Sequence, residues 1–270
     1  MNEEQVIKKT KILNTRESLK KDFVKLGIKK GMVLIVHSSL SSIGWVCGGP
    51  VAVIQALMDA VTQEGTLVMP AHSGNYSDPS KWQNPPVPKE WINEIKKTMP
   101  AFEEDITPTS GIGVIPETFR NFPHVIRSSH PAMSFCAWGK YAREITENHS
   151  IDYSLGKNSP LERVYDLDGY VLLLGVGFGN NTSFHLSEYR ATNPKTEKLG
   201  APILNKGIRV WQEYDDIEMD SDLFEELGED FEKHSKATIG YIGSAESKFF
   251  RQKAAVDFGQ SWINNKRAQL

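Results

Sequence analysis

The sequence predicts one α/β domain with a C-terminal elaboration. Three observations predict it. Residues 32–69 read as strand, helix, strand; residues 170–189 run an apolar strand through glycines into a helix; and beyond residue 200 the pattern turns alternating and then acidic. A chain of 270 residues with 39% hydrophobic content has enough apolar surface for one large core or two modest ones. No internal repeat or convincing linker divides it. The expectation is a single domain over 1–270, with a core at 15–190 and the elaboration at 200–270.

Leu19, Phe23, Val24 and Leu26 fall on a helical period over 15–26, and Gly27 stops that helix. A strand follows at 32–36. Residues 37–49 form a loop of small residues, after which Pro50 occupies the first turn of a helix over 50–62. Glu64-Gly65 turns the chain into a strand at 66–69. Joined through a helix, these two strands should run parallel with a right-handed crossover. Residues 72–88 are rich in Gly, Asn, Ser, Asp and Pro and show no period. A loop of that length is commonly a lid or binding segment, and an exposed Trp82 fits contact with a ligand; a structural loop pinned by its Trp fits equally. Helices are expected at 91–98, 114–121, 141–147 and 160–165, and a strand at 133–138.

The continuous apolar run at 171–176 suits a strand covered on both faces. Past the helix that follows it, 201–204 and 208–214 alternate around Asn205-Lys206-Gly207, the signal for an antiparallel hairpin at an edge. Such an edge can pair with a second subunit, which admits a homodimer. Residues 213–232 are dense in Asp and Glu, with Leu223, Phe224, Leu227 and Phe231 at helical spacing, and a last helix is expected over 246–264.

A formal charge of −3 and a pI near 6.2, with no basic stripe or tail, argue against a nucleic-acid partner. The charged N-terminus lacks the apolar stretch of a signal peptide and no run approaches the length of a membrane span, so a cytoplasmic protein without a membrane partner is expected. Cys47 and Cys136 are too few for a disulfide framework and read as small packed thiols.

The chemistry concentrates at 170–189. Thr182, His185 and Glu188 are spaced i, i+3, i+6, so each neighbouring pair shares a helix face, and Glu188 can orient the imidazole or hold its positive charge. Asn181 or Thr182 caps the helix, whose free N–H groups can hold an oxyanion or phosphate. A surface His–Glu pair is the bland reading. The position after a buried strand, where open α/β sheets place ligands, favours a site instead. His-x-x-Glu supplies only two metal ligands and no second cluster completes a set, so no metal is expected. The glycines at 175, 177 and 179 do not have the spacing of a dinucleotide fingerprint.

His37-Ser-Ser-Leu-Ser-Ser-Ile-Gly44, Thr107-Pro-Thr-Ser-Gly-Ile-Gly113, Arg127-Ser-Ser-His-Pro131 and Thr182-Ser-Phe-His-Leu-Ser-Glu188 together resemble the aminoglycoside 3-N-acetyltransferase family. The likeness runs in family order from about residue 15 to the final helix, including Ile242-Gly-Ser-Ala245. It implies a three-layer α/β/α sandwich around a mixed, largely parallel sheet, with a C-terminal hairpin and helix. It also implies acetyl transfer from acetyl-CoA to an amine, with His185 as general base, Glu188 fixing its tautomer, and Thr182 serving the oxyanion or the CoA sulfur. Ser38, Ser39, Leu40 and Ser41 are implied to line the CoA site, with Thr109, Ser110, Gly113, Arg127 and Ser128 as further candidates; His130 is given no role by the likeness. Ser and Gly are also ordinary turn formers.

An aminoglycoside is a polycation, and the acidic segment at 213–232 would attract it, although a solvated helix face explains those charges too. The implied acceptor is therefore a small, aminoglycoside-like amine. Two alternatives stand beside it: an acyl-CoA-dependent transferase acting on a non-antibiotic amine, and a CoA-binding module without turnover. The three residues at 182, 185 and 188 count against the second, since a pure binder has no use for a base.

Overall fold

A βαβ unit builds the centre, as the strand, helix, strand order predicts. In the computed structural model, which describes residues 3–234 and 237–268, the strands are β1 (Val33–Ser38), β2 (Thr66–Pro70), β3 (Ile126–Arg127), β4 (Phe135–Gly139), β5 (Tyr170–Leu174), β6 (Thr196–Asn205), β7 (Ile208–Ile217), β8 (Thr238–Ile242) and β9 (Ala245–Arg251). The helices are α1 (Glu3–Lys9), α2 (Arg16–Leu26), α3 (Leu40–Ile43), α4 (Gly49–Val61), α5 (Ile92–Thr98), α6 (Val114–Arg120), α7 (Ala142–Thr146), α8 (Pro160–Asp166), α9 (Ser183–Arg190), α10 (Phe224–His234) and α11 (Gln252–Arg267). None of them is long and apolar enough to cross a membrane.

Seven strands form one sheet in the order β3-β4-β2-β1-β5-β9-β8. β2, β1 and β5 run parallel; the four outer pairings are antiparallel. The sheet is thus mixed, and its parallel character is confined to the three central strands. Their alternation divides the core into two halves. Leu34, Val36, Leu67, Met69, Leu172 and Leu174 pack against α2, α4 and α6, while Ile35, Val68, Val171 and Leu173 pack against α8, α9, α10 and α11 on the other face. Helices on both faces of one sheet make the expected α/β/α sandwich. Each large side chain so buried contributes roughly 1.5–3 kcal/mol.

Local signals set the element ends. Thr15 caps α2 in a reciprocal capping box with Ser18, and Gly27 at φ +116° ends it. β6 and β7 form a separate two-stranded sheet closed by Lys206 and Gly207, both at positive φ, as a two-residue hairpin requires.

The last third differs from expectation. The final helix begins at Gln252; residues 246–251 belong to β9, which pairs with β5, while β8 closes the sheet edge beyond it. The strand abuts the helix with no Gly or Pro between them, so nothing in the sequence marks the change. The strand expected over 171–176 ends at Leu174, and the loop after β1 contains the single turn of α3.

Gly228, inside α10, seats Phe178 from the turn after β5: an added Cβ would lie 2.0 Å from the ring. Helix propensity alone favours Ala there by ~1 kcal/mol, but forcing the ring aside costs ~1–3 kcal/mol. Gly228→Ala should therefore lower the urea midpoint, and a raised midpoint would show that Phe178 can move freely.

Candidate active site

The carboxyl ends of β2, β1 and β5 open on one cavity of about 950 Å³, at the upper end of the range for ligand pockets. β1 ends in His37-Ser38 and β2 runs through Pro70 to His72-Ser73, the same dipeptide after two neighbouring parallel strands. His37, Ser38 and His72 line the cavity, joined from the β5 side by Val176, Gly179, Asn180 and Thr182. Gly44, Gly48, Gly111 and Gly113, all at positive φ, form the turns around it, and Gly48, Gly49 and Pro50 bring the start of α4 to its wall.

Thr182 occupies the cap position of α9 without making a cap hydrogen bond; its hydroxyl lies 3.3 Å from His37 Nε2 instead. Asn181 takes over the cap, its Oδ1 accepting from the Ser183 N–H at 3.3 Å. One turn on, His185 Nδ1 lies 2.6 Å from Glu188 Oε2. The other Glu188 oxygen accepts the Asp220 N–H at 2.9 Å, and Phe224 lies 4.7 Å from the imidazole, ring centre to ring centre. The carboxylate is buried and can only accept, so it fixes the imidazole proton on Nδ1 and leaves the Nε2 lone pair for chemistry.

His37 and His72 are held neutral. Burial pushes each imidazole down to about 3, with His185 adding to the effect on His37, and His37 and His185 adding to it on His72. His72 Nε2 and Ser38 Oγ are buried and have no hydrogen-bond partner among the described residues. Neither histidine was among the residues singled out from sequence; the signal was there in the repeated His-Ser after consecutive strands.

Of the residues expected at the CoA site, Ser38, Ser39, Leu40, Ser41 and Gly113 line the cavity. Thr109 and Ser110 do not. Their backbone N–H groups bond to Glu117 Oε2 and to the His72 carbonyl, which anchors the turn instead. Arg127 and Ser128, also expected at the CoA site, lie outside the cavity lining. The Arg127 guanidinium, buried and 4.9 Å from the Phe102 ring centre, donates to the carbonyls of Ala71, Glu104 and Thr107 and to the hydroxyls of Ser73 and Ser134. Ser128 accepts the Phe135 N–H and pairs with His149 Nδ1 at 2.9 Å. His130 bonds to the Met133 N–H and the Ile151 carbonyl, a turn-building role.

The acidic segment splits between β7 and α10. Asp216 is buried against Tyr189 and the Ser154 N–H; Glu225 caps the Gly179 N–H; Glu226 and Glu232 pair with Lys266 and Lys248. Glu218, Asp220 and Asp222 remain exposed beside the Glu188 contact. Trp82 is half-buried, its indole N–H donating to Ser77, and Cys47 is exposed whereas Cys136 is buried.

The sequence profile of the aminoglycoside 3-N-acetyltransferase family matches residues 35–264. The chain is 49% identical to the SPbeta prophage-derived aminoglycoside N(3')-acetyltransferase-like protein YokD of Bacillus subtilis (strain 168), over 97% of each chain. The crystal structure of YokD from Bacillus subtilis matches with a TM-score of 0.97, covering 99% of both. Aminoglycoside N(3)-acetyltransferase VII of Streptomyces paromomycinus is 31% identical over 98% of this chain and 97% of that one. The structure of AAC-IIIb in a binary complex with CoASH matches at 27% identity and a TM-score of 0.85, covering 94% of this chain and 98% of that one.

Two outcomes follow from the buried groups. Arg127→Met strands the carbonyls that the guanidinium satisfies and should cost about 3 kcal/mol of stability, read as a lower melting temperature; native stability with weakened ligand binding would contradict this role. His37, His72, His130 and His149 all resist protonation in the fold. The unfolded chain therefore binds more protons below about pH 6.5, so stability is full at pH 7 and falls on acidification by ~1.4 kcal/mol per pH unit per ring. Urea midpoints at pH 7 and 4.5 test it, and a level midpoint would show the rings to be charged inside the protein.

Proposed function

The chain belongs to the aminoglycoside 3-N-acetyltransferase family, and on that premise we propose that it transfers acetyl from acetyl-CoA to an amino group of an aminoglycoside-like polyamine, with His185 as the general base. The observation that carries the proposal is the His185–Glu188 pair one turn along α9 from Thr182, which itself lines a cavity of CoA-bearing size.

The cavity suits the donor. No Lys or Arg lines it among the described residues, so the phosphates of CoA would rest on backbone N–H groups of the glycine turns, such as those at Gly111 and Gly113. Leu40, Val46, Ile112 and Trp45 offer apolar contact to the rest of the carrier. Thr182 marks the end at which the acyl group would lie.

An amine arrives mostly protonated at neutral pH; one proton leaves to solvent to free the lone pair, and a second must leave the nitrogen as it attacks the thioester carbon. His185 Nε2 accepts that proton, and Glu188 stabilises the imidazolium that results. The exposed carboxylates at Glu218, Asp220 and Asp222 beside Glu188 favour a polycationic acceptor. The proton then passes to the departing sulfur, giving an amide and free CoA.

Loss of a general base typically lowers turnover by ~10²–10⁴, so His185→Ala should abolish most thiol release while leaving CoA binding intact. Free thiol is followed during incubation with acetyl-CoA and an amine panel. An unchanged rate in His185→Ala would remove His185 from the mechanism; a native protein that binds CoA yet releases no thiol with any amine would be a binding module.

A further inference from the structure

We infer that His72 and Ser38 are further catalytic residues of this site, whose Nε2–H and hydroxyl hold the acetyl carbonyl oxygen of the thioester as charge builds on it. The inference rests on the acetyl-transfer reading above.

His72 and Ser38 both line the cavity, and each carries a buried polar atom, Nε2 and Oγ, that has no partner among the described residues. Each such atom costs ~1–3 kcal/mol when nothing satisfies it, and the large majority of buried side-chain polar atoms find a partner in folded proteins. The β1–β2 register pairs Ile35 with Val68, and continuing it sets His72 opposite Ser39, next to Ser38. Both donors therefore stand at the carboxyl ends of adjacent parallel strands. A carbonyl oxygen has two lone pairs and can accept from both.

His72 is suited to this by being uncharged: burial keeps the imidazole neutral throughout the range in which an amine can be deprotonated. A neutral N–H placed on a carbonyl stabilises developing negative charge without giving up its own proton, a pattern known for neutral imidazole in triosephosphate isomerase. Its orientation is fixed from three sides. The Phe135 ring meets it edge-on at 5.1 Å, and the Ala71 and Ser73 N–H groups bond to the carbonyls of Ser134 and Ala132. Arg127 grips the chain on either side, at the Ala71 carbonyl and the Ser73 hydroxyl. Arg127 is thus a positioning residue for His72.

The step balances as follows. The amine nitrogen bonds the carbonyl carbon, and the C=O π pair moves onto oxygen, where His72 and Ser38 hold it. The double bond then re-forms, the C–S bond breaks with its pair on sulfur, and the proton taken by His185 is delivered there.

His72→Met and His72→Gln separate a donor from a packing group, since the Gln amide carries an N–H near the Nε2 position. His72→Met should lower kcat by ~10²–10³ with little change in KM for acetyl-CoA, and His72→Gln should regain at least about tenfold of that loss. CoASH, which lacks the acetyl oxygen, should bind native protein and both variants alike. Ser38→Ala, which cannot disturb packing much, should lower kcat by about tenfold. Turnover in His72→Met within about threefold of native, equal loss in Met and Gln, or a loss that tracks CoASH binding would each overturn the inference. A native enzyme that releases no thiol would instead overturn the acetyl-transfer reading on which it rests.

Discussion

One buried cation organises the ligand-facing end of the sheet. Arg127 sits on β3 with its guanidinium out of water and no carboxylate in contact, and its positive charge is spread over three carbonyls and two hydroxyls from separate loops. Burial lowers its basicity, yet a guanidinium stays charged, so the loops must keep their oxygens turned toward it. The segments at 71–73 and 104–107 are thereby fastened to the sheet. Both lead directly into the walls of the cavity, at His72 and at Gly111 to Gly113. A residue outside the cavity lining thus decides where the lining residues stand.

The second constraint is the shared ending of three parallel strands. β2, β1 and β5 deliver His72, His37-Ser38 and the glycine turn to one level, and the antiparallel strands on both flanks keep the sheet from opening there. Glu188 completes the arrangement from the far side: one oxygen orients His185, the other is held by the backbone of Asp220 just before α10. α10 is in turn seated on Phe178 through Gly228 and tied to α11 by Lys266–Glu226. His185 is therefore held by elements that follow α9 in the chain, from Asp220 to α11.

Histidine is used in two opposite ways. His185 keeps a carboxylate partner and a free nitrogen, which suits proton traffic. His37, His72, His130 and His149 lie buried without carboxylate partners and stay neutral, acting as directional hydrogen-bonding groups. Keeping His37 and His72 uncharged also avoids setting positive rings beside His185.

By itself the sequence determined the parts whose signals are local: the period of α2 and the Gly27 that ends it, the βαβ unit, the apolar strand before the glycine turn, the hairpin around Asn205-Lys206-Gly207, and the i, i+3 spacing that lets Glu188 reach His185. Period and turn chemistry act over a few residues and can be read along the chain. The tertiary structure alone decided what Arg127 and the unpartnered atoms of His72 and Ser38 face. An arginine in a polar turn looks like an anion binder until carbonyls from residues 71, 104 and 107 converge on it. It likewise decided that residues 247–251 pair with β5, because that partner lies more than seventy residues away in the chain.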